Sequence, residues 1–222
     1  MQYFNDEFSI FFENLAQNNN REWFLNNKKI YESEVKTPFL KLIDDLISKI
    51  NTELEPISLT SKDCIFRINR DVRFAKEKHP YKTNVSALIN QYGKKDKENP
   101  GMYLELNGNM VMIYGGCYNP SKENLDKIRW YIMDNKDEFE NIINDNNFVK
   151  YYKSILGEKN KIIPKEFKEF GKEYGLIYNK QYYYNHNLPK EFITADKLID
   201  VIYNHYLAGN KLQKFLTKAL NQ

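Results

Sequence analysis

Hydrophobic and polar positions in the first third of the chain follow the 3.6-residue period of an α-helix. Residues 6–17 predict a first helix, because one side of that helix is apolar. The apolar residues at this spacing are Phe8, Phe11, Phe12 and Leu15.

A second helical pattern begins at Arg21 and continues to Ile50. Asn20, just before it, is a residue type that helices prefer as an N-cap. Pro38 interrupts the pattern, since proline has no backbone N–H to donate within a helix. Either a new helix begins at Pro38 with Thr37 as its N-cap, or one long helix is kinked at the proline.

The period changes to two in the central third, which predicts strands. Residues 64–74 alternate, and their apolar side holds Cys64, Phe66, Ile68, Val72 and Phe74. Another strand is predicted at 85–89. A hairpin follows, with strands at 102–106 and 110–114 joined by Asn107-Gly108, a pair typical of tight two-residue turns.

The last third returns to helical patterns. We expect a helix after Pro120 with Ser121 as N-cap, helical structure over 139–155, weak alternation at 174–184, and one or two helices over 195–220. The sequence thus predicts one α+β domain over residues 1–222. A mostly antiparallel sheet comes from the central third and is packed by N-terminal and C-terminal helices.

Charge is concentrated in one stretch of the chain. The 222 residues carry a net charge of +3, and segment 62–82 alone carries seven basic and three acidic residues, a net of +4. The rest of the chain is therefore close to neutral. Proteins that bind nucleic acid along a broad surface usually have a larger basic face, which makes this class less favoured.

The cysteines and the apolar runs indicate the cellular location of the protein. Cys64 and Cys117 are too few for a disulfide framework and do not have metal-ligand spacing, so we expect reduced thiols in a cytoplasmic protein. No apolar run approaches the roughly 18 residues that span a bilayer, and we expect no membrane partner. The three histidines are far apart in the sequence, so no metal site is predicted, and no cofactor is indicated.

Arginine is distributed unusually. The chain has 28 lysines and 5 arginines, and three of the arginines are Arg67, Arg70 and Arg73. A guanidinium group offers a planar fork that binds carboxylates or phosphates through two parallel hydrogen bonds. The clustering therefore indicates an anion site.

The alternation places Arg67, Asp71 and Arg73 on one face. This face is either an anion cradle, in which Asp71 orients an arginine or acts as a base, or a row of surface ion pairs. Arg70 falls on the apolar face. It must be paired internally, emerge into a cleft, or lie at a bulge that turns it outward.

Two other stretches hold candidate ligand-binding residues. Tyr81 and Lys82 follow Pro80, and they form either a stiff anion clamp or a rigid turn with a solvated lysine. Arg21 begins a predicted helix, whose N-terminal amides either attract an anion or only mark a capped helix start. Cys117, after Gly115-Gly116, is a weak candidate nucleophile. The alternating residues 178–186 either stack bases or pack in the core.

Several of these motifs occur together and in a fixed order. They are Asn19-Asn20-Arg21-Glu22-Trp23-Phe24, Phe66-Arg67-Ile68-Asn69-Arg70-Asp71-Val72-Arg73-Phe74, Pro80-Tyr81-Lys82-Thr83, Gly115-Gly116, Ile128-Arg129 and Pro164-Lys165. In this order they resemble a widespread microbial and fungal family of conserved hypothetical proteins, domain of unknown function 2461. The resemblance covers nearly the whole chain, implies a single domain, and marks the same residues without implying a substrate. Cys117 departs from the pattern, which weakens the case for a thiol nucleophile.

The leading hypothesis is a cytoplasmic domain that binds an anionic small ligand, a nucleotide or phosphoester, with or without catalysis at the same site. The residues that would bind it are Arg67, Arg70, Arg73, Tyr81, Lys82 and Arg21, with Asp71 as the candidate catalytic group. The alternative is a nucleic-acid or protein interaction module that uses the basic segment 62–82. In a third, structural interpretation, the arginines pair with carboxylates such as Glu105.

Overall fold

The computed structural model describes residues 1–54 and 56–222. Helices lie at both ends of the chain and a four-stranded antiparallel sheet comes mainly from its middle. The predicted α+β class is confirmed.

Internal contacts divide the chain into two compact units. Unit 1 contains Met1–Lys94, Tyr103–Ile113 and Asn187–Tyr203, and unit 2 contains Lys95–Met102, Tyr114–His186 and Asn204–Gln222. The single domain over residues 1–222 stays a prediction.

The first helix of unit 1, α1, spans Asp6–Gln17, as predicted, and buries its phenylalanines and Leu15. The next helix, α2, spans Arg21–Asn26. Asn20 caps it by accepting a hydrogen bond from the Trp23 amide at 2.9 Å, which confirms the predicted N-cap.

Three helical segments follow in direct succession: α3 (Lys28–Ile30), a π-helical turn (Tyr31–Lys36) and α4 (Thr37–Glu53). Thr37 is not an N-cap, because its backbone is helical and its N–H donates to the Glu32 carbonyl. Of the two alternatives at Pro38, the structure therefore shows continuous helix. The wider π-helical turn comes just before the residue that cannot donate an amide hydrogen bond.

The strand predicted over 64–74 is wrong as a regular strand. A short helix, α5, spans Ser61–Cys64 and begins with a capping box between Thr60 and Asp63, so Cys64 is helical. Beyond it only Ile65 and Asn69 form isolated bridges. Phe74, predicted to face inward, is 95% exposed.

The sheet contains β1 (Asn84–Ile89), β2 (Gly101–Asn107), β3 (Met110–Cys117) and β4 (Tyr182–Pro189), in the order β1-β2-β3-β4. The predicted strand at 85–89 and the hairpin are confirmed. The Asn107 side chain closes the hairpin turn by accepting from the amides of Asn109 and Met110.

Unit 2 contains α6 (Lys122–Asp134), α7 (Lys136–Ile143), α8 (Asn146–Tyr152) and α9 (Lys168–Glu173), and the C-terminal helix α10 spans Leu198–Leu220. Ser121 caps α6 as predicted. The helical pattern at 139–155 divides because Asp145 caps a new helix. The weak alternation at 174–184 is partly a 3₁₀ turn (Gly175–Tyr178), and the strand begins only at Tyr182. None of the helices described is both long and apolar enough to cross a bilayer.

Candidate functional site

The arginine segment, which we define as residues 65–74, runs antiparallel to the residues that enter β1. Ile65 lies opposite Ala87, and Asn69 lies opposite Tyr81. The other backbone bonds are Phe66 N–H to Ser86 O at 2.9 Å, Lys82 N–H to Ile68 O at 2.8 Å, and Arg70 N–H to Pro80 O at 2.9 Å. The segment thus pairs along the outer edge of the sheet without forming a continuous strand.

A bulge separates the two paired stretches. Between the Phe66–Ser86 pair and the Ile68–Lys82 pair, the arginine segment has one residue, Arg67, whereas the opposite chain has three, 83–85. Two extra residues therefore face Arg67. Bulges of this kind redirect side chains and are frequent beside functional sites.

This pairing places Arg70 and Lys82 on the same face. Residues directly opposite each other in an antiparallel pair share a face, and Arg70 lies opposite Pro80 while Lys82 lies opposite Ile68. Arg70 and Lys82 are therefore diagonal neighbours, which are typically about 7–8 Å apart. The Lys82 ammonium group is 5.3 Å from the centre of the Phe66 ring.

Arg70 is the unusual member of the cluster. Its side chain is half-buried, yet it makes no ion pair or side-chain hydrogen bond with any residue that the structure describes. Removing a charge from water without a partner costs free energy. An internal pairing is thus not seen, and a guanidinium group with its donors unused is available to a ligand.

Arg73 and Asp71 form a closed pair. Arg73 donates from Nε to Asp71 Oδ1 at 3.0 Å and from Nη2 to Oδ2 at 2.6 Å. These hydrogen bonds, and to a smaller extent the charge of Arg67, hold the pKa of Asp71 below its usual range. Both side chains are exposed. The geometry supports Asp71 as the residue that orients Arg73, and a carboxylate with a lowered pKa is a weak base.

Tyr81 is held by the stretch that precedes α2. The Asn19 side chain donates to the Tyr81 carbonyl at 2.9 Å and accepts from its amide at 3.1 Å. The Tyr81 ring is buried and stacks on Phe24, with ring centres 4.0 Å apart. Two of the motifs from the sequence therefore meet here, and Tyr81 anchors the chain that presents Lys82.

Arg21 and Arg67 are both exposed. Neither forms an ion pair with another described residue. Arg21 begins α2, which has only six residues. The backbone pairing that places Arg70 and Lys82 on one face does not include Arg21, and Arg67 lies at the bulge, so this pairing brings together only part of the predicted set.

The sequence comparison identifies the family of this fold. Residues 7–215 match the model of a family described as conserved hypothetical protein (DUF2461). The chain belongs to the DUF2461 family. No curated protein matches the sequence significantly. The match includes the arginine segment, Asn19, Tyr81 and Lys82.

Gly115 and Gly116 of this DUF2461 protein serve packing within unit 2. A methyl group on Gly115 would overlap the Tyr184 ring, and one on Gly116, whose φ is +93°, would meet the Tyr182 carbonyl. The two glycines therefore allow β3 to approach β4 closely. They do not form a phosphate-binding turn.

Cys117, Tyr182 and Tyr184 belong to the core. The Cys117 thiol donates to the Glu98 carbonyl, and its burial raises its pKa to about 12. Such a thiol is a poor nucleophile. Tyr182 and Tyr184 are buried, so they cannot stack bases.

Two of the histidines that are distant in sequence lie close together. The ring centres of His186 and His205 are 4.9 Å apart. Over residues 1–54 and 56–222, however, no three potential metal ligands form a cluster.

Sequence reasoning missed the role of Arg129. Its guanidinium group is 3% exposed and donates to the carbonyls of Ile177 and Asn179 and to the Asp126 carboxylate. Arg129 thereby fixes α6 to residues 177–179 of unit 2. The sequence signal for a buried arginine was the position of Arg129 among the apolar residues of a predicted helix.

Proposed function

We propose that this DUF2461 protein binds a small anionic ligand, a nucleotide or another phosphoester, whose charged group lies between Arg70 and Lys82. The observation that carries the proposal is the half-buried residue Arg70, whose guanidinium group has no acidic partner among the described residues. A ligand phosphate would supply the missing negative charge and accept from both prongs of the fork.

The surroundings of Arg70 support an anion rather than a cation or an apolar ligand. Lys82 adds a second positive charge on the same face of the paired chains. Partial burial lowers the local dielectric constant, which strengthens the attraction between these groups and a phosphate. Arg67 contributes at longer range, whereas Arg73 is already engaged with Asp71.

The proposal concerns binding first. If a reaction takes place at this site, Arg70 and Lys82 would stabilise negative charge that develops on the phosphoryl group. The lowered pKa of Asp71 makes this carboxylate a poor candidate for a base. Both cysteines are free, which supports the cytoplasmic location that we propose for the protein.

A thermal-shift screen tests the proposal. The compounds are inorganic phosphate, pyrophosphate, nucleotides, sugar phosphates and dicarboxylates. We expect at least one phosphate compound to stabilise the wild-type protein, because a ligand that binds only the folded state raises its melting temperature.

Two matched variants assign the effect to Arg70. Arg70→Met should weaken binding roughly 10- to 150-fold, the equivalent of about 1.5–3 kcal/mol for hydrogen bonds to a charged group. Arg73→Met removes the same charge from the same segment, but it should change affinity less than about threefold, as exposed charges contribute little. Binding that is equal in the Arg70→Met variant and the wild type, or no stabilisation by any compound, would contradict the proposal.

One observation favours a second candidate, binding of single-stranded nucleic acid. Phe74 is 95% exposed, and Arg73, Lys76 and Lys78 accompany it in the loop 71–79. Exposed aromatic rings among basic groups stack bases while the cations contact phosphates. Anisotropy titrations with a labelled oligonucleotide should then show affinity that falls steeply with salt and with Phe74→Ala. Affinity that is unaffected by salt would exclude this candidate.

A further inference from the structure

Two aromatic rings lie beside Lys82 in unit 1. The rings of Phe66 and Tyr103 have centres 6.1 Å apart and an angle of 52° between their planes. Phe66 belongs to the arginine segment and Tyr103 to β2, and β1 lies between them. Both side chains are only partly buried. They form an aromatic platform, the Phe66–Tyr103 pair, next to the proposed anion site.

The residue between the two rings is small and polar. Phe66 lies directly opposite Ser86 of β1, so these two side chains share a face. Ser86 is 1% exposed, and its hydroxyl oxygen has no hydrogen-bond partner among the residues described. Asn84, two residues earlier on the same strand, has a buried side-chain carbonyl oxygen that also lacks a partner in the described part of the chain.

Both atoms are covered by protein, so they do not face a bound ring directly. A planar ligand ring is therefore inferred from the Phe66–Tyr103 pair and from the charges that border its two rings.

A carboxylate contacts one ring of the platform. The Tyr103 hydroxyl donates to Glu105 Oε2 at 2.7 Å, and Glu105 is partly exposed. The second oxygen of Glu105 can accept from a hydroxyl or amino group, whereas its negative charge would repel a phosphate. The Phe66 ring is thus bordered by the Lys82 ammonium group and the Tyr103 ring by a carboxylate.

We infer that the ligand is a nucleoside phosphate. Its phosphate would lie at Arg70 and Lys82, its base against the Phe66–Tyr103 pair, and its ribose hydroxyls or base amino group toward Glu105. This inference rests on the proposed function, because it assigns the base-binding part of the same site. The positive charge of Arg70 indicates that the ligand is an anion, and the Phe66–Tyr103 pair indicates that the ligand has a planar ring.

Calorimetric titration with four probes tests the inference. The probes are pyrophosphate, ribose 5-phosphate, adenosine 5′-monophosphate and uridine 5′-monophosphate. We expect at least one of the nucleotides to bind about ten times more tightly than ribose 5-phosphate, since one stacked base commonly contributes at least that factor. Saturation-transfer NMR should show contact from protein aromatic protons to the protons of the base.

Variants assign this preference to the platform. Phe66→Leu should remove most of the preference for the nucleotide while leaving the affinity for ribose 5-phosphate within about twofold, because stacking requires the ring. Tyr92→Leu removes another exposed ring of unit 1 and should leave the preference unchanged. If Phe66→Leu unfolds the protein, the NMR contacts in the wild type decide the question.

The outcomes separate the two proposals. If ribose 5-phosphate and both nucleotides bind equally and depend on Arg70, the anion site stands and the nucleoside inference is wrong. If a nucleotide binds better but Phe66→Leu retains the preference and no base protons show contact, the platform is not the base site. If no phosphate compound binds, both proposals fail.

Discussion

The side chain of Arg129 is buried and that of Arg70 is half-buried, and the two guanidinium groups differ in their partners. Arg129 of unit 2 directs its donors to two backbone carbonyls and to Asp126. Arg70 of unit 1 directs its donors to no described residue. The chain has far more lysine than arginine. The guanidinium group of Arg129 stabilises the structure around α6, whereas that of Arg70 has donors that no described residue accepts.

The comparison extends to the residues around each arginine. In unit 2, Gly115 of β3 and Gly209 of α10 leave room for the Tyr184 ring, whose hydroxyl accepts from Gln213. In unit 1, Asn84 and Ser86 leave buried polar atoms without partners among the described residues. Buried polar atoms without a described partner also occur in unit 2, for example on Tyr174 and Asn179, so these atoms do not distinguish the two units. The contrast rests on the arginines: the guanidinium group is paired in the closed region around Arg129 and has no partner among the described residues in the open region around Arg70.

The largest expected effect is on stability and comes from Arg129. Arg129→Met should lower the free energy of unfolding by about 3–5 kcal/mol, because it leaves the Ile177 and Asn179 carbonyls and the Asp126 carboxylate without their donor. Arg70→Met should change it by less than about 1 kcal/mol, since it breaks no pairing. Urea denaturation measures both values. Equal destabilisation by the two variants would contradict the claim that Arg129 is paired within the fold and Arg70 is not.

A smaller loss of stability is expected from added volume in the closed region. Gly115→Ala places a methyl group against the Tyr184 ring and should cost about 1–3 kcal/mol through overpacking. Gly175→Ala is the control, because its methyl group would meet only the flexible end of Lys159. Thermal unfolding compares the two. If Gly115→Ala melts at the wild-type temperature, unit 2 is less tightly packed here than described.

Asn19 offers a change of similar or smaller size within the open region. Asn19→Ala removes both hydrogen bonds to the Tyr81 backbone and should cost about 1–2 kcal/mol. Because Tyr81 anchors the chain that carries Lys82, pyrophosphate should also bind more weakly. Asn18→Ala is the matched control, since the Asn18 side chain bonds only within its own helix end. Unchanged pyrophosphate affinity in Asn19→Ala would show that this anchor does not position the site.

The smallest effect concerns the titration of Asp71. Its pKa lies below the usual value because Arg73 hydrogen-bonds to the carboxylate. The contribution of this pair to stability is therefore present above the ordinary pKa of an aspartate and is lost as the pH falls through the lowered value. NMR titration of the carboxyl carbon should show the pKa rising in Arg73→Met. It should rise much less in Arg70→Met, and a similar rise in both would mean that Arg70 also belongs to the Asp71 pair.

The sequence predicted most of the elements whose signals are local. The helical period gave α1, the Asn-Gly pair gave the hairpin, and Ser121 marked the start of α6. The arginine segment was mispredicted because a capping box at Thr60 competes with the alternation and makes Cys64 helical. A bulge then interrupts the backbone pairing opposite Arg67. No pattern of residues in the sequence predicts this bulge.

The site was predicted only in part, for the same reason. Arg70 stood out as a charge among apolar positions, and it is the residue that the structure leaves unpaired within the described chain. Its neighbour Lys82 depends on which residues lie opposite each other, and this becomes visible only with the backbone hydrogen bonds. The platform of Phe66 and Tyr103 joins two segments that are 37 positions apart, beyond the reach of any local pattern.

The most direct measurement uses the five arginines as separate reporters. Each arginine contributes one Nε–Hε signal to a ¹⁵N correlation spectrum, and single substitutions assign the signals. Adding pyrophosphate should shift the Arg70 signal strongly and leave those of Arg129 and Arg73 in place, because the guanidinium groups of Arg129 and Arg73 are already engaged with protein acceptors. A spectrum in which Arg70 does not move, or moves no more than Arg129, would contradict an anion site at Arg70.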